Sequence, residues 1–435
     1  MPHALAQAVE IATTALAVAG LGYFLASLAA ARVFLAPRRA PLPVFTPGVS
    51  ILKALRGLDP GMIDAFRSHC RQSYAGEFEL LFGIGSRDDP AAAAVEQLKS
   101  EFPEKAVRLV ECPERLGANG KVSTLVQLAQ HARYEFLLIN DSDITVGPRY
   151  LERVMGCFAT EEDAAGAKAP SSFAAADVRA EARTLQARTH QNGGASSRVG
   201  LVTALFRGRA HSTLPSRLEA LAIATEFAPG VLLSKLLEGG VHYGLGSTLA
   251  VRREALEKAG GLLPLVEYLA DDYELGARIA QAGYRVELSA EVVETSVPAY
   301  GWREFFDHQV RWFRTVRGAR PAGYAGLVFT HGLGWALLNV LASGGGPVSL
   351  WLLGLSFFLR LAQAMTVGAA VLGDRQVIEN LWLLPVRDLI AMGLWAAGFA
   401  GDTIVWRGER FVLKDGKLRK TSQQVSESAS QRVSD

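Results

Sequence analysis

The sequence predicts an α/β domain built on a mostly parallel sheet and held by transmembrane helices at its N-terminal and C-terminal ends. Three observations predict it. Strand and helix patterns alternate between residues 48 and 140, long uncharged apolar segments lie near both termini, and the 435 residues carry a net charge of only +2 with positive mean hydropathy. A purely soluble chain seldom has that balance.

The first element is the anchor, residues 8–35. Ile11 to Ala31 carries no charge and is long enough to cross a hydrocarbon core of about 30 Å. A cleaved signal peptide is the competing assignment, with Ala29-Ala30-Ala31 as its cleavage site. Against it, no basic n-region is present, Glu10 precedes the segment, and the apolar stretch exceeds the roughly 7–15 residues of an h-region.

Residues 43–320 form the domain itself. Gly48 to Leu55 reads as a strand, Gly61 to Gln72 as an amphipathic helix, Phe78 to Ile84 as a strand and Ala91 to Phe102 as a helix. Val107 to Cys112 follows as a short strand, Lys121 to Ala132 as a helix and Phe136 to Asn140 as a strand. Ligands of such folds bind at the carboxyl ends of the strands, so polar residues there carry the functional signal.

The membrane region, residues 321–406, begins with Pro321 to Leu359, which has no Asp, Glu, Lys or Arg and reads as two spans around the turn Ser343-Gly344-Gly345-Gly346-Pro347. Leu381 to Ala400 is also apolar but contains Arg387 and Asp388, which are costly against lipid, so it is a third span or a re-entrant element. Arg32, Arg38 and Arg39 after the first span, and Arg311, Arg314, Arg317 and Arg320 before the second, place the domain in the cytoplasm. The basic residues of the tail, 407–435, favour the same side and an even number of C-terminal crossings. Beyond Lys420 the composition is that of a disordered segment.

Three acidic clusters stand out. Asp88 and Asp89 follow the Phe78 strand and suit either a nucleoside or ribose contact or a helix N-cap ahead of Pro90. Asp141-Ser142-Asp143 follows the apolar Phe136–Ile139 run; two carboxylates one residue apart at a strand end can hold a divalent cation whose remaining ligands come from a diphosphate. The competing assignment is an Asx-turn. Asp271-Asp272 suits general base catalysis or simply the first turn of a helix. Downstream, His308-Gln309-Val310-Arg311-Trp312 offers a phosphate-binding guanidinium beside an indole, in a segment that also reads as an interfacial helix. Cys70, Cys112 and Cys157 have no metal-ligand spacing, and basic residues do not cluster among aromatics as nucleic-acid binding requires.

Taken in order, Asp88/Asp89, Asp141-Ser142-Asp143, Asp271-Asp272 and Arg311-Trp312, followed by membrane segments, resemble the D, D, D, (Q/R)xxRW pattern of lipid-directed and processive glycosyltransferases. More closely the chain resembles glycosyltransferase family 21, the ceramide glucosyltransferases and their bacterial hopanoid-type relatives, through Val49 to Gly57, Asp88-Asp89-Pro90, Gly117 to Ser123, Gly246-Ser247-Thr248 and Trp406-Arg407-Gly408. The resemblance implies a GT-A (Rossmann-like) fold and an inverting transfer from a UDP-sugar to a membrane lipid, best matched by glucose and ceramide, with a hopanoid acceptor second. It implies a multi-pass protein of a bacterial inner membrane. By the same resemblance Asp88 or Asp89 contacts the nucleoside, Lys121 lies near the nucleotide sugar, and Asp141 and Asp143 bind a Mg2+ or Mn2+ diphosphate. Asp272 matches the base, and Arg311 with Trp312 closes over the diphosphate. His308 stands where the family pattern has Gln or Arg, with Gln309 next to it. A processive polysaccharide synthase shares these acids but needs more membrane helices, and a non-catalytic scaffold would not need all three clusters.

Overall fold

The computed structural model describes residues 2–36, 43–159, 198–406 and 409–420. Arg38, Arg39, Arg407, Gly408 and the tail beyond Lys420 lie outside the described residues.

The α/β expectation is met. Strands β1 (Val49–Ala54), β2 (Phe78–Ile84), β3 (Ala106–Glu111) and β4 (Phe136–Ile139) alternate with helices α2 (Met62–Cys70), α3 (Ala91–Glu101) and α4 (Gly120–Ala129). They pair in parallel, and β5 (Val199–Ala210), β6 (Leu249–Arg252) and β7 (Arg285–Val297) extend the sheet to seven strands in the order β3-β2-β1-β4-β6-β5-β7. Only β6 runs against its neighbours. The β1 and β4 runs are apolar on both faces because both faces are covered. Phe136 and Leu138 pack with Phe66 and Phe82 on one side, while Leu137 and Ile139 pack with Leu125 and Leu128 of α4 on the other.

Helix α1 (Pro2–Leu35) is longer than the expected anchor and serves two environments. Its last turns, at Ala30, Ala31 and Phe34, join the same core as Leu52 and Leu137. Further toward the N-terminus it lies against helix Gly332–Ala342. A Cβ on Gly20 would sit 2.2 Å from the Gly332 Cα, so only glycine permits this approach. Asn339 donates to the Glu10 carbonyl and to Thr13 and Thr14, which makes the two helices antiparallel and brings the start of α1 to the same end as the 343–346 turn.

Among the described residues four helices are long and apolar enough to cross a membrane: Ala4–Leu35, Leu214–Leu237, Pro347–Val371 and Leu381–Gly398. A fifth candidate is the pair Pro321–Thr330 and Gly332–Ala342, bent by 56° at His331. Two sequence expectations change here. The second C-terminal helix does not end at Leu359 but continues to Val371, because Arg360 turns inward onto Asp388 rather than out to lipid. The stretch after Trp406 is not all tail: β8 (Thr403–Trp406), β9 (Glu409–Lys414) and β10 (Lys417–Lys420) form an antiparallel sheet around Ile404, Phe411 and Leu418. The sequence also gave no warning of helix Leu214–Leu237, which carries Arg217, Glu219, Glu226 and Lys235 and is largely packed inside the protein.

Candidate active site

The site forms at the carboxyl ends of β1 and β4. Asn140, buried at the end of β4, donates to the Tyr150 hydroxyl at 3.0 Å and the Ser247 carbonyl at 2.6 Å, which fixes the start of the next loop. That loop is Asp141-Ser142-Asp143. Lys53, fully buried at the end of β1, donates to the Asp141 carbonyl at 2.9 Å, and Ser142 donates to the Asp59 carboxylate. Burial pulls the Lys53 ammonium down to about 7, with Asp143 and Asp141 opposing it.

Opposite the loop, Asn119 caps α4 by accepting from the Val122 N–H at 3.1 Å, and Lys121 in that first turn reaches back to Asp141. Its Nζ lies 2.6 Å from Asp141 Oδ1 and 3.5 Å from Asp271 Oδ2. Burial opposes the Lys121 charge, but Asp141 and Asp271 together raise it above the usual lysine range. Asp271 and Asp272 begin helix α8 (Asp271–Gln281), which follows α5 (Tyr150–Gly156), α6 (Leu214–Leu237) and α7 (Arg253–Lys258) along the chain. This helix lies directly on the loop ahead of β6: a Cβ on Gly276 would stand 2.1 Å from the Gly244 nitrogen. The close approach lets Gly246 N–H donate to Asp272 Oδ2 at 2.7 Å. An added Cβ on Gly246 would fall 3.1 Å from that same oxygen and 3.4 Å from Asp141 Oδ2, so the two carboxylates flank one glycine. Burial, then the charge of Asp271, pushes the Asp272 carboxyl up to about 6 against the pull of Lys121.

Asp143 faces the other way. Its Oδ2 accepts from the Thr295 hydroxyl and from the Ser296 N–H at 3.1 Å. Burial and the charge of Asp141 raise its pKa.

Helix α9 (Trp302–Ala319) carries the His308 to Trp312 segment and is anchored by one buried acid on α6, Glu219. Glu219 accepts from His308 Nδ1 at 3.1 Å, Gln309 Nε2 at 3.3 Å and the Tyr300 hydroxyl at 3.3 Å. A carboxylate only accepts, so His308 carries its proton on Nδ1. Tyr300 joins the two halves of the site: its hydroxyl is raised by burial and Glu219, and feels both Arg311 and Asp143. The Trp312 ring packs 5.4 Å from His308 and 6.3 Å from Phe227.

Thus Lys121, Asp141, Asp271 and Asp272 come together, with Asp143, His308, Gln309, Arg311 and Trp312 grouped around Tyr300 and Glu219. Asp88 and Asp89 do not join them. Asp89 accepts from the Gly57 N–H at 3.0 Å and the Ala91 N–H at 2.9 Å, so it holds the loop after β1 to the start of α3, and Asp88 is exposed. The helix-start assignment fits Asp89. Sequence reasoning missed Lys53, Glu219 and Tyr300 as site residues. A lysine inside the apolar Val49–Ala54 strand was a readable signal; Glu219 and Tyr300 had none.

Residues 12–191 and 173–419 match the description of glycosyl transferase family 21. The chain belongs to that family. This family 21 chain is 23% identical to ceramide glucosyltransferase 1 of Caenorhabditis elegans over 402 residues, 88% of its own length and 76% of the relative's. Ceramide glucosyltransferase 3 of the same organism is 23% identical over 85% of this chain and 73% of its own. Among solved structures, the glycosyltransferase is similar to mannosyltransferase PcManGT from Pyrobaculum calidifontis in complex with GDP-Man and Mn2+, with a TM-score of 0.45, 18% identity, and coverage of 90% of this chain and 99% of that one.

Proposed function

We propose that this glycosyltransferase transfers glucose from UDP-glucose to the primary hydroxyl of ceramide, with inversion, from the cytoplasmic side of a bacterial inner membrane. The observation that carries the reading is the pairing of Asp272 and Asp141 across Gly246. It sets a carboxyl of raised pKa beside the acid and lysine expected to meet the donor diphosphate.

Asp272 takes the proton from the acceptor hydroxyl as its oxygen bonds to the anomeric carbon. The bond from that carbon to the diphosphate breaks on the opposite side, and UDP leaves. Lys121 and Arg311 supply positive charge where the leaving group becomes more negative. Trp312, packed on His308 and Phe227, excludes water from that side.

The donor set suits a hard divalent cation. Asp141 and Asp143 are oxygen ligands with adjacent negative charges, each retaining an oxygen that takes none of the bonds described above. When bound, the cation neutralises charge on the departing UDP.

The membrane arrangement we infer has α1, the bent 321–342 pair and Pro347–Val371 in the bilayer. Leu381–Gly398 lies along its cytoplasmic face, because both its ends are tied to the catalytic unit. Gln376 bonds Gly208 and Ala210 before it, and Arg317 donates to the Gly398 carbonyl at its end.

The test is to incubate the protein in lipid nanodiscs with UDP-glucose or UDP-N-acetylglucosamine, with ceramide or a hopanoid, and with or without Mn2+. Mass spectrometry should find glucosylceramide. Product only with the hopanoid moves the acceptor to that class, and transfer to no lipid removes the reading.

A further inference from the structure

Three buried charges and one half-buried acid, Glu226, lie where the C-terminal helices meet α6, and the reaction outlined above uses none of them. Arg360, Arg387 and Asp388 are 3%, 1% and 7% exposed. Arg360 is fully engaged: it donates to both oxygens of Asp388, to the Thr225 carbonyl and hydroxyl, and to Gln363. Arg387 is not. Its Nη2 donates to Glu226 Oε2 at 2.8 Å and its Nε faces Glu226 Oε1 at 2.7 Å, but its buried Nη1 has no hydrogen-bond partner among the described residues. Leaving a buried charged donor unpaired is costly, so Nη1 has the capacity to donate to one further acceptor.

The pair is open on one side. The Glu226 side chain is 25% exposed, against 2% for Arg387. Glu226 also sits in a π-turn, Ile223–Phe227, which packs near a second π-turn, Ala364–Val371; such turns are frequent at functional sites. Its neighbours on α6 touch the motif helix: Glu219, about 10 Å along the axis, holds His308 and Gln309, and Phe227 meets Trp312. A charged pair held between α6 and Leu381–Gly398, next to the end of the membrane helix Pro347–Val371 and beside a catalytic motif, is placed to meet a substrate's polar part.

An ionised carboxylate only accepts and a guanidinium nitrogen only donates. Together they fit a neutral group that offers one donor and one acceptor, such as an amide with an adjacent hydroxyl. We propose that Glu226 and Arg387 hold the hydroxy-amide segment of the acceptor lipid, with Glu226 accepting from its N–H or O–H and Arg387 Nη1 donating to its carbonyl. This rests on the lipid-acceptor reading.

The experiment compares short-chain ceramide with a diacylglycerol of equal chain length, which presents a primary hydroxyl but an ester in place of the amide. Wild type should favour ceramide by about tenfold or more in kcat/KM, since a site built to hydrogen-bond a group discriminates against its absence. Glu226→Gln should cut that preference to about threefold or less by raising the ceramide KM, with UDP binding within about twofold of wild type. Equal loss on both lipids overturns the proposal. If Glu226→Gln fails to bind UDP, wild type decides, using ceramide with a diazirine beside the amide: labelling within residues 223–227 or 384–388 supports the site, and labelling only elsewhere overturns it. Wild-type transfer to neither lipid overturns the acceptor reading itself.

Discussion

At the scale of single residues, Asp272 carries the sharpest expectation. Its carboxyl is lifted to about 6, so the base is disabled by protonation at a higher pH than an ordinary aspartate would be. The active form is the ionised one; kcat/KM should therefore hold above that value and fall about tenfold per pH unit below it, as a pH-rate profile with saturating metal would show. Asp272→Asn should lose about 1,000-fold in kcat with UDP affinity little changed, and retention of full activity would remove Asp272 from the mechanism. Lys53 makes a different contribution. Fully buried beneath the Asp141 carbonyl, it fixes the Asp141-Ser142-Asp143 loop. Lys53→Met keeps the volume and deletes the donor, so the donor KM should rise about tenfold while kcat changes less. Lys53 was legible as an oddity in an apolar strand, whereas Glu219 was one acid in an unremarkable helix. Its importance comes from His308, Gln309 and Tyr300, which lie more than 80 residues away.

At the scale of elements, close helix contacts decide the architecture. The α1 contact with Gly332–Ala342 depends on two glycines whose backbones touch, so Gly20→Val must push the helices apart. We expect a loss of about 1–3 kcal/mol and a lower thermal midpoint in detergent, with catalytic-domain strands unaffected by far-ultraviolet dichroism. The C-terminal sheet has a comparable structural role. Leu269 donates to the Gly416 carbonyl and Leu418 to the Glu267 carbonyl, so β9 and β10 brace the loop that leads into Asp271 and Asp272. The strand-helix alternation of residues 48–140 was readable because each element there buries local apolar residues with its own period. The C-terminal strands were not, because their short charged runs fold against residues distant in sequence, Ala118, Leu269 and helix α9.

For the whole molecule, the bilayer orientation we propose rests on which ends of the helices meet the catalytic unit. The start of α1 and the 343–346 turn share one end; the sheet, Gln376 and Arg317 share the other. A membrane-impermeant maleimide applied to spheroplasts should label Ser343→Cys and leave Arg375→Cys unlabelled until the membrane is opened. The reverse pattern would invert the protein and place the active site outside the cytoplasm.

From sequence alone came the α/β class, an N-terminal helix apolar enough to span a membrane, the family, and the candidate acids Asp141, Asp143 and Asp272 that the proposed reaction uses, because periodicity, uninterrupted apolar length and ordered motifs are properties of contiguous chain. Tertiary structure decided which of these residues meet. It bonded Asp89 to the Gly57 and Ala91 N–H groups, set Asp272 against Asp141 across Gly246, and gathered His308 and Gln309 on Glu219. It also turned Arg387 and Asp388 from an obstacle to membrane insertion into internal ion pairs with Glu226 and Arg360. Hydropathy counts a charge wherever it occurs, but its cost depends on the partner it finds, and that partner lies far away in sequence.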